Sequence, residues 1–170
     1  MSRAEVLNET KRYWFFKEGN NCLLYLSETG YPYKILKIHH SESRHLREIT
    51  GTLEEKAIKM QTIFNILKKY FGHQLVDSHY FVSSELGMEG LACIQPYIHG
   101  NTVDSYNYKS GIVLAAHELK SKLQNLWLEF RTDQELTVID GQTMRNLVFP
   151  DLDFSNIIFV PPDSYYIIDW

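Results

Sequence analysis

The rhythm of apolar and polar residues changes several times along this chain, and each change marks an element. Arg12 to Lys17 is an aromatic-rich run that predicts a strand. Glu18-Gly-Asn-Asn21 is a turn signal, and Cys22 to Ser27 predicts a second strand. Glu28-Thr-Gly-Tyr-Pro32 is a second turn, and Tyr33 to His39 predicts a third strand. Together they describe an antiparallel meander with two short connections. Alternation within the third strand puts Ile35 and Lys37 on one face, and Lys34 and Leu36 on the other.

At Thr52 the period lengthens. Thr52 and Glu55 have the spacing of a capping box, in which hydroxyl and carboxylate satisfy free backbone N–H groups. Leu53, Ala57, Met60, Phe64, Leu67 and Phe71 then fall on one helical face, and Gly72 is placed to end the helix. His79 to Ser84 and Leu91 to Gln95 predict another strand pair, and Pro96-Tyr-Ile-His-Gly100 is a hinge-like break. Gly111 to Phe130 predicts a second long helix with the stripe Ile112, Ala116, Leu119, Leu123, Leu126, Trp127 and Phe130. Its other side is polar except for Leu114 and Leu128. A short helical piece near Gln142 and two strands around Pro161-Pro162 complete the pattern. Strands gather in the first half with one helix, and the second half is mostly helical. The expected fold class is α+β with two lobes: residues 1–95, a hinge at 96–100, and residues 101–170.

Composition narrows the function classes. A length of 170 residues bounds the chain to one domain or two small lobes, and 14% aromatic residues can fill a core. A net charge of -4 without a basic stripe speaks against nucleic-acid binding. No apolar run is long enough to span a bilayer, and the first residues lack the apolar stretch of a signal peptide. Cys22 and Cys93 each sit inside an apolar run and read as buried reduced thiols of a cytoplasmic protein. Without a secretion signal, the glycosylation-type triplet Asn8-Glu9-Thr10 is discounted. His39, His40 and His45 lie in a polar link without further ligand types, so a solvated loop is expected there rather than a metal site.

The chemistry concentrates at the end of the chain. Asp151-Leu-Asp-Phe-Ser-Asn156 precedes an apolar strand, and a second strand delivers Asp169 at its tip, followed by Trp170. Read alone, Asp and Asn are common turn formers ahead of a hairpin. Jointly, the motif resembles the catalytic and metal-binding loops of the protein-kinase-like superfamily. The closer likeness is to its small-molecule branch, the aminoglycoside and choline phosphotransferase type, where the metal-binding Asp is often followed by Trp. Phe149-Pro150 stand where the family has His or Gly before the catalytic Asp.

The resemblance implies a set of roles. Asp151 would accept or orient the proton of an attacking hydroxyl, and Asn156 and Asp169 would offer hard oxygens to Mg2+ on the phosphates of ATP. Lys37 would contact the α- and β-phosphates, although alone it also reads as a strand-end Lys reaching solvent. Its acidic partner would be Glu54, with Glu55 and Glu48 as alternatives. Both first-turn acids also read as residues favoured by the helix dipole. Gly19 and Asn20, in the turn between the first two strands, would cover the phosphates. Gln95 and Tyr97 would hydrogen-bond adenine through their backbones. The reaction implied is transfer of the γ-phosphoryl group to a hydroxyl on a small-molecule acceptor. Chains of this family continue well past the metal-binding Asp, so a shortened second lobe is expected. Its bare surface would be covered by a protein partner or by self-association. The alternative from another class is a non-catalytic kinase-like scaffold, or a split half, that binds a protein partner. An unrelated α+β domain is the third reading.

Overall fold

The computed structural model describes residues 13–28, 32–84, 89–102, 117–119, 121–122, 124–126, 128, 154–160 and 164–169. The strands in chain order are β1 (Tyr13–Glu18), β2 (Cys22–Ser27), β3 (Lys34–His39), β4 (His79–Ser83), β5 (Gly90–Pro96), β6 (Asn101–Thr102), β7 (Ile157–Val160) and β8 (Ser164–Ile167). Among the described residues, the helices with both ends placed are α1 (Arg44–Glu48) and α2 (Leu53–Phe71). The chain divides into two compact units. One holds Met1–Phe64 with Asp77–Tyr97, and the other Asn65–Val76 with Ile98–Trp170. The last turns of α2 therefore count with the second unit.

The first unit is built on a five-stranded antiparallel sheet in the order β1-β2-β3-β5-β4. The meander expected from the sequence is its first three strands, and the predicted strand pair supplies the other two. β3 runs through the middle, so both its neighbours shield it. Leu36 is 0% exposed, and with Tyr13, Tyr25, Ile38, Ala92 and Ile94 it forms one apolar cluster. Leu36, Ile38 and Ile94 each contribute about 1.5–3 kcal/mol by leaving water. β1 is an edge strand, and all of it after Tyr13 is exposed.

α2 starts at the expected capping box. The Glu55 carboxylate accepts from the Thr52 N–H at 2.8 Å, and the Thr52 hydroxyl accepts from the Glu55 N–H at 3.3 Å. Ala57, Met60, Phe64, Leu67 and Phe71 are buried, as their helical spacing requires. Gly72 takes φ 56°, the left-handed conformation that ends a helix at least cost to glycine. The link before α2 is not the solvated loop read from its polarity. It contains α1, anchored by buried Leu46 and Ile49. Lys56 and Lys59 of α2 donate to the carbonyls of Leu46 and Thr50 at 2.5 and 2.8 Å.

In the second unit β6, β7 and β8 form a three-stranded antiparallel sheet. Leu75 bridges Ile167, and the Val76 N–H donates to the Ile167 carbonyl at 3.1 Å. The described residues among 117–128 are helical. Leu119 and Leu126 of the predicted stripe are buried, whereas Leu128 is exposed. The piece near Gln142 lies outside the described residues, as does Trp170.

Candidate functional site

Lys37 is the first residue to place. It lies in the central strand opposite Leu24 of β2 and Cys93 of β5, and it is only 6% exposed. The solvent-reaching alternative therefore fails. An ammonium group buried this far demands compensation. Cross-strand pairing puts Ile35, Lys37 and His39 on one face with Cys22, Leu24, Cys93 and Gln95. On that face Cys22, Leu24 and Ile35 form a buried apolar cluster, and Tyr97 packs against it. An apolar cluster beside a buried cation matches the chemistry of a ligand with an aromatic ring and an anionic tail.

Gln95 is buried in β5, and its side-chain carbonyl accepts from the Ser78 hydroxyl at 3.4 Å. The Tyr97 N–H donates to the Tyr33 carbonyl at 2.8 Å. Hydrogen-bonded and non-bonded pairs alternate along an antiparallel ladder, so Ile35–Gln95 is also a hydrogen-bonded pair. The Tyr97 N–H and both backbone groups of Gln95 thus face β3, not a ligand. This corrects the expectation that these groups hold adenine. By the same alternation, the carbonyl of Pro96 between them is turned away from β3.

Gly19 and Asn20 occupy the tight turn between β1 and β2, where the Gly19 N–H donates to the Cys22 carbonyl at 2.8 Å. Just before it, a bulge shifts the β1 register between Phe15 and Lys17. Phe16 meets Tyr97 edge-on with centroids 6.3 Å apart, which extends the aromatic rim. Sequence reasoning missed this contact, because a run of three aromatics does not reveal a bulge.

Glu54 is exposed in the first turn of α2, and among the described residues no ion pair or hydrogen bond engages its carboxylate. The structure does not bring it to Lys37, and the helix-dipole account of this residue holds. The histidines also differ from expectation. His39 is the last residue of β3 and is buried, and His40 contacts the β1–β2 turn. The end of β3 at His39 is the one the sequence predicts, so among the three histidines only His40 and His45 follow the strand.

In the second unit, Asn156 ends the short 3-10 turn Phe154–Asn156, directly before β7. Ile157 pairs with Ile167, and one step further out the Ile168 N–H donates to the Asn156 carbonyl at 2.9 Å. Asp169 follows at once, so the β7–β8 hairpin delivers Asn156 and Asp169 to the same end. Both are half-buried. A carboxylate and a carboxamide are hard oxygen donors. Mg2+ takes one or two such ligands and fills its shell with water and substrate phosphates, so the pair fits that ion. Among the described residues no three His, Cys, Asp or Glu side chains gather as a metal cluster, so these residues form no all-protein cage. Asp151 lies outside the described residues.

No family model and no curated protein matches the chain. Among solved structures, a spectinomycin phosphotransferase in complex with ADP and spectinomycin matches with a TM-score of 0.52 at 13% identity, covering 100% of this chain and 69% of that one. A kinase of Cydia pomonella granulovirus matches with a TM-score of 0.48 at 15% identity, covering 98% of this chain and 56% of the viral one. The fold is therefore kinase-like α+β, of the aminoglycoside-phosphotransferase type, with a five-stranded antiparallel sheet and its helix at the N-terminal side. At such identity the likeness carries the fold alone. No helix among the described residues is long and apolar enough to cross a membrane.

Proposed function

We propose that this chain is a phosphotransferase domain that binds ATP with Mg2+ and transfers the γ-phosphoryl group to a hydroxyl of a small molecule. The observation that carries the reading is that the hairpin returns Asn156 and Asp169 to the same end. The buried Lys37 beside an apolar, aromatic-rimmed surface supports it independently. Shared fold with a phosphotransferase that was solved with ADP and spectinomycin supports both the nucleotide and the small acceptor.

In this reading the base lies on Cys22, Leu24, Ile35 and Tyr97, and its amino group donates to the Pro96 carbonyl. Lys37 pairs with the α- and β-phosphates, and Gly19 and Asn20 cover them. Asn156 and Asp169 would hold Mg2+, which would supply positive charge to offset that of the phosphates. Asp151 takes or orients the proton of the acceptor hydroxyl, so that its oxygen can attack the γ-phosphorus. The buried thiols Cys22 and Cys93 suit a reducing cytoplasm.

A non-catalytic scaffold that binds a protein partner is the second reading. Exposed Trp14, Phe15 and Phe16 on an edge strand favour it. Thermal denaturation with ATP, with and without Mg2+, tests the first reading. A Mg2+-dependent rise is expected, and its absence at millimolar ATP refutes nucleotide binding. ADP release on adding spectinomycin or another hydroxyl-rich acceptor then separates turnover from mere binding.

A further inference from the structure

The turn between β1 and β2 is held from outside its own hairpin. His40 Nε2 lies 3.3 Å from the Gly19 carbonyl oxygen and 3.7 Å from a Glu18 carboxylate oxygen. Two oxygen acceptors around one ring nitrogen select the form with a hydrogen on Nε2, which donates to Gly19. The His40 N–H donates to the Asn21 carbonyl at 3.0 Å, so the β2–β3 ladder continues one pair beyond Cys22 and His39.

That extension fixes the side from which His40 reaches the turn. Ile35, Lys37 and His39 share one face, so alternation sends the His40 side chain to the opposite face. The carbonyl and N–H of a planar trans peptide point in opposite directions. With the Gly19 carbonyl bound on the far face, the Asn20 N–H of the same peptide points to the Lys37 face. Among the described residues no hydrogen bond engages that N–H.

We propose that His40 is a positioning residue: it turns the Gly19–Asn20 peptide so that the Asn20 N–H is presented, beside Lys37, to an oxygen of a phosphate chain. The inference rests on the nucleotide reading and adds to it a residue outside the turn that acts through one peptide plane. Without His40 the peptide can flip, and a carbonyl oxygen would then meet the phosphate.

Calorimetric titration with Mg-ATP, Mg-tripolyphosphate and adenosine separates the possibilities. The wild type is expected to bind all three. His40→Ala should weaken both triphosphates about tenfold, the worth of one charge-assisted hydrogen bond, and leave adenosine unchanged. His40→Gln, which keeps a donor, should restore most of the loss. Asn20→Pro removes the N–H itself at an exposed position and should match His40→Ala. A wild type that binds none of the three ligands sinks the nucleotide reading, and this inference with it. A wild type that binds, with triphosphate affinity changed less than about twofold in His40→Ala, sinks the His40 assignment alone. Equal weakening of adenosine, or a His40→Gln as weak as His40→Ala, also overturns it, because general damage to the sheet would then be the cause.

Discussion

Substitution Asp169→Asn is the sharpest test of the hairpin end. It leaves the shape of the side chain and the β7–β8 ladder intact and removes one negative charge beside Asn156. Two unit charges 4 Å apart interact by about 4 kcal/mol at an effective dielectric constant of about 20. The amide oxygen that remains still coordinates, so a net loss of about 2.7 kcal/mol, a hundredfold in affinity, is expected. In thermal denaturation at a hundredfold excess of Mg-ATP over its dissociation constant, the wild type gains about 2.7 kcal/mol, and the variant at the same concentration gains about 0.4 kcal/mol. For a chain of 170 residues, each kcal/mol moves the midpoint by roughly 2–4 °C. The shift should fall from roughly 5–11 °C to about 1–2 °C. ATP without Mg2+ should give the same small shift in both proteins. A variant that keeps the full Mg2+-dependent shift refutes the assignment of Asp169 as a metal ligand.

Other changes follow from the same geometry. Lys37→Met keeps the length of a side chain that is 6% exposed while removing its charge; Mg-ATP affinity should fall by about ten- to a hundredfold, and unchanged affinity by calorimetry would remove Lys37 from the site. Leu36→Ala leaves a cavity in the central strand and should cost about 2–5 kcal/mol in urea denaturation; a cost under about 1 kcal/mol would mean that the sheet core is not where it is described. Burial, with the nearby Glu118 charge, pushes the Tyr165 hydroxyl up to about 12, so the unfolded chain ionises first as pH rises. Its stabilising share is complete below pH 10 and disappears between pH 10 and about 12; Tyr165→Phe should flatten that part of the stability profile, and an unchanged profile contradicts the assignment.

The sequence reveals what depends on local pattern and hides what depends on partners. β2, β3, β5 and α2 are legible because apolar period and turn residues bound them on both sides. Asn156 and Asp169 are legible together because a hairpin of equal arms must return its chain to where it began. α1 is not, since a helix from Arg44 to Glu48 is too short to show a period and only Leu46 and Ile49 betray its buried side. β6 is two polar residues, Asn101 and Thr102, recognisable only by pairing with Phe159 and Ile158 far along the chain. The direction of the Gln95 backbone groups and of the Tyr97 N–H is hidden for a related reason. Alternation within one strand tells which side chains share a face, but the direction of each N–H depends on the neighbouring strand. Glu54 has the residue type and the helical turn that the resemblance asks for, and only its exposed position shows that it does not meet Lys37.

One strand joins stability to the proposed chemistry. Along β3 the period of two places Lys37 on one face and Leu36 and Ile38 on the other. The ladder extends far enough to give His40 the second face as well. A slip of one residue against β2 would send Lys37 into the cluster of Tyr13, Tyr25, Ala92 and Ile94, and bring Leu36 to the ligand face. The register is therefore held by the cost of placing an ammonium among the apolar side chains of that cluster, a penalty of several kcal/mol in order of magnitude. In the proposed reading, the same apolar packing that stabilises the sheet decides which side chains share the face of Lys37. Replacing Leu36 should loosen the phosphate-binding geometry along with the fold.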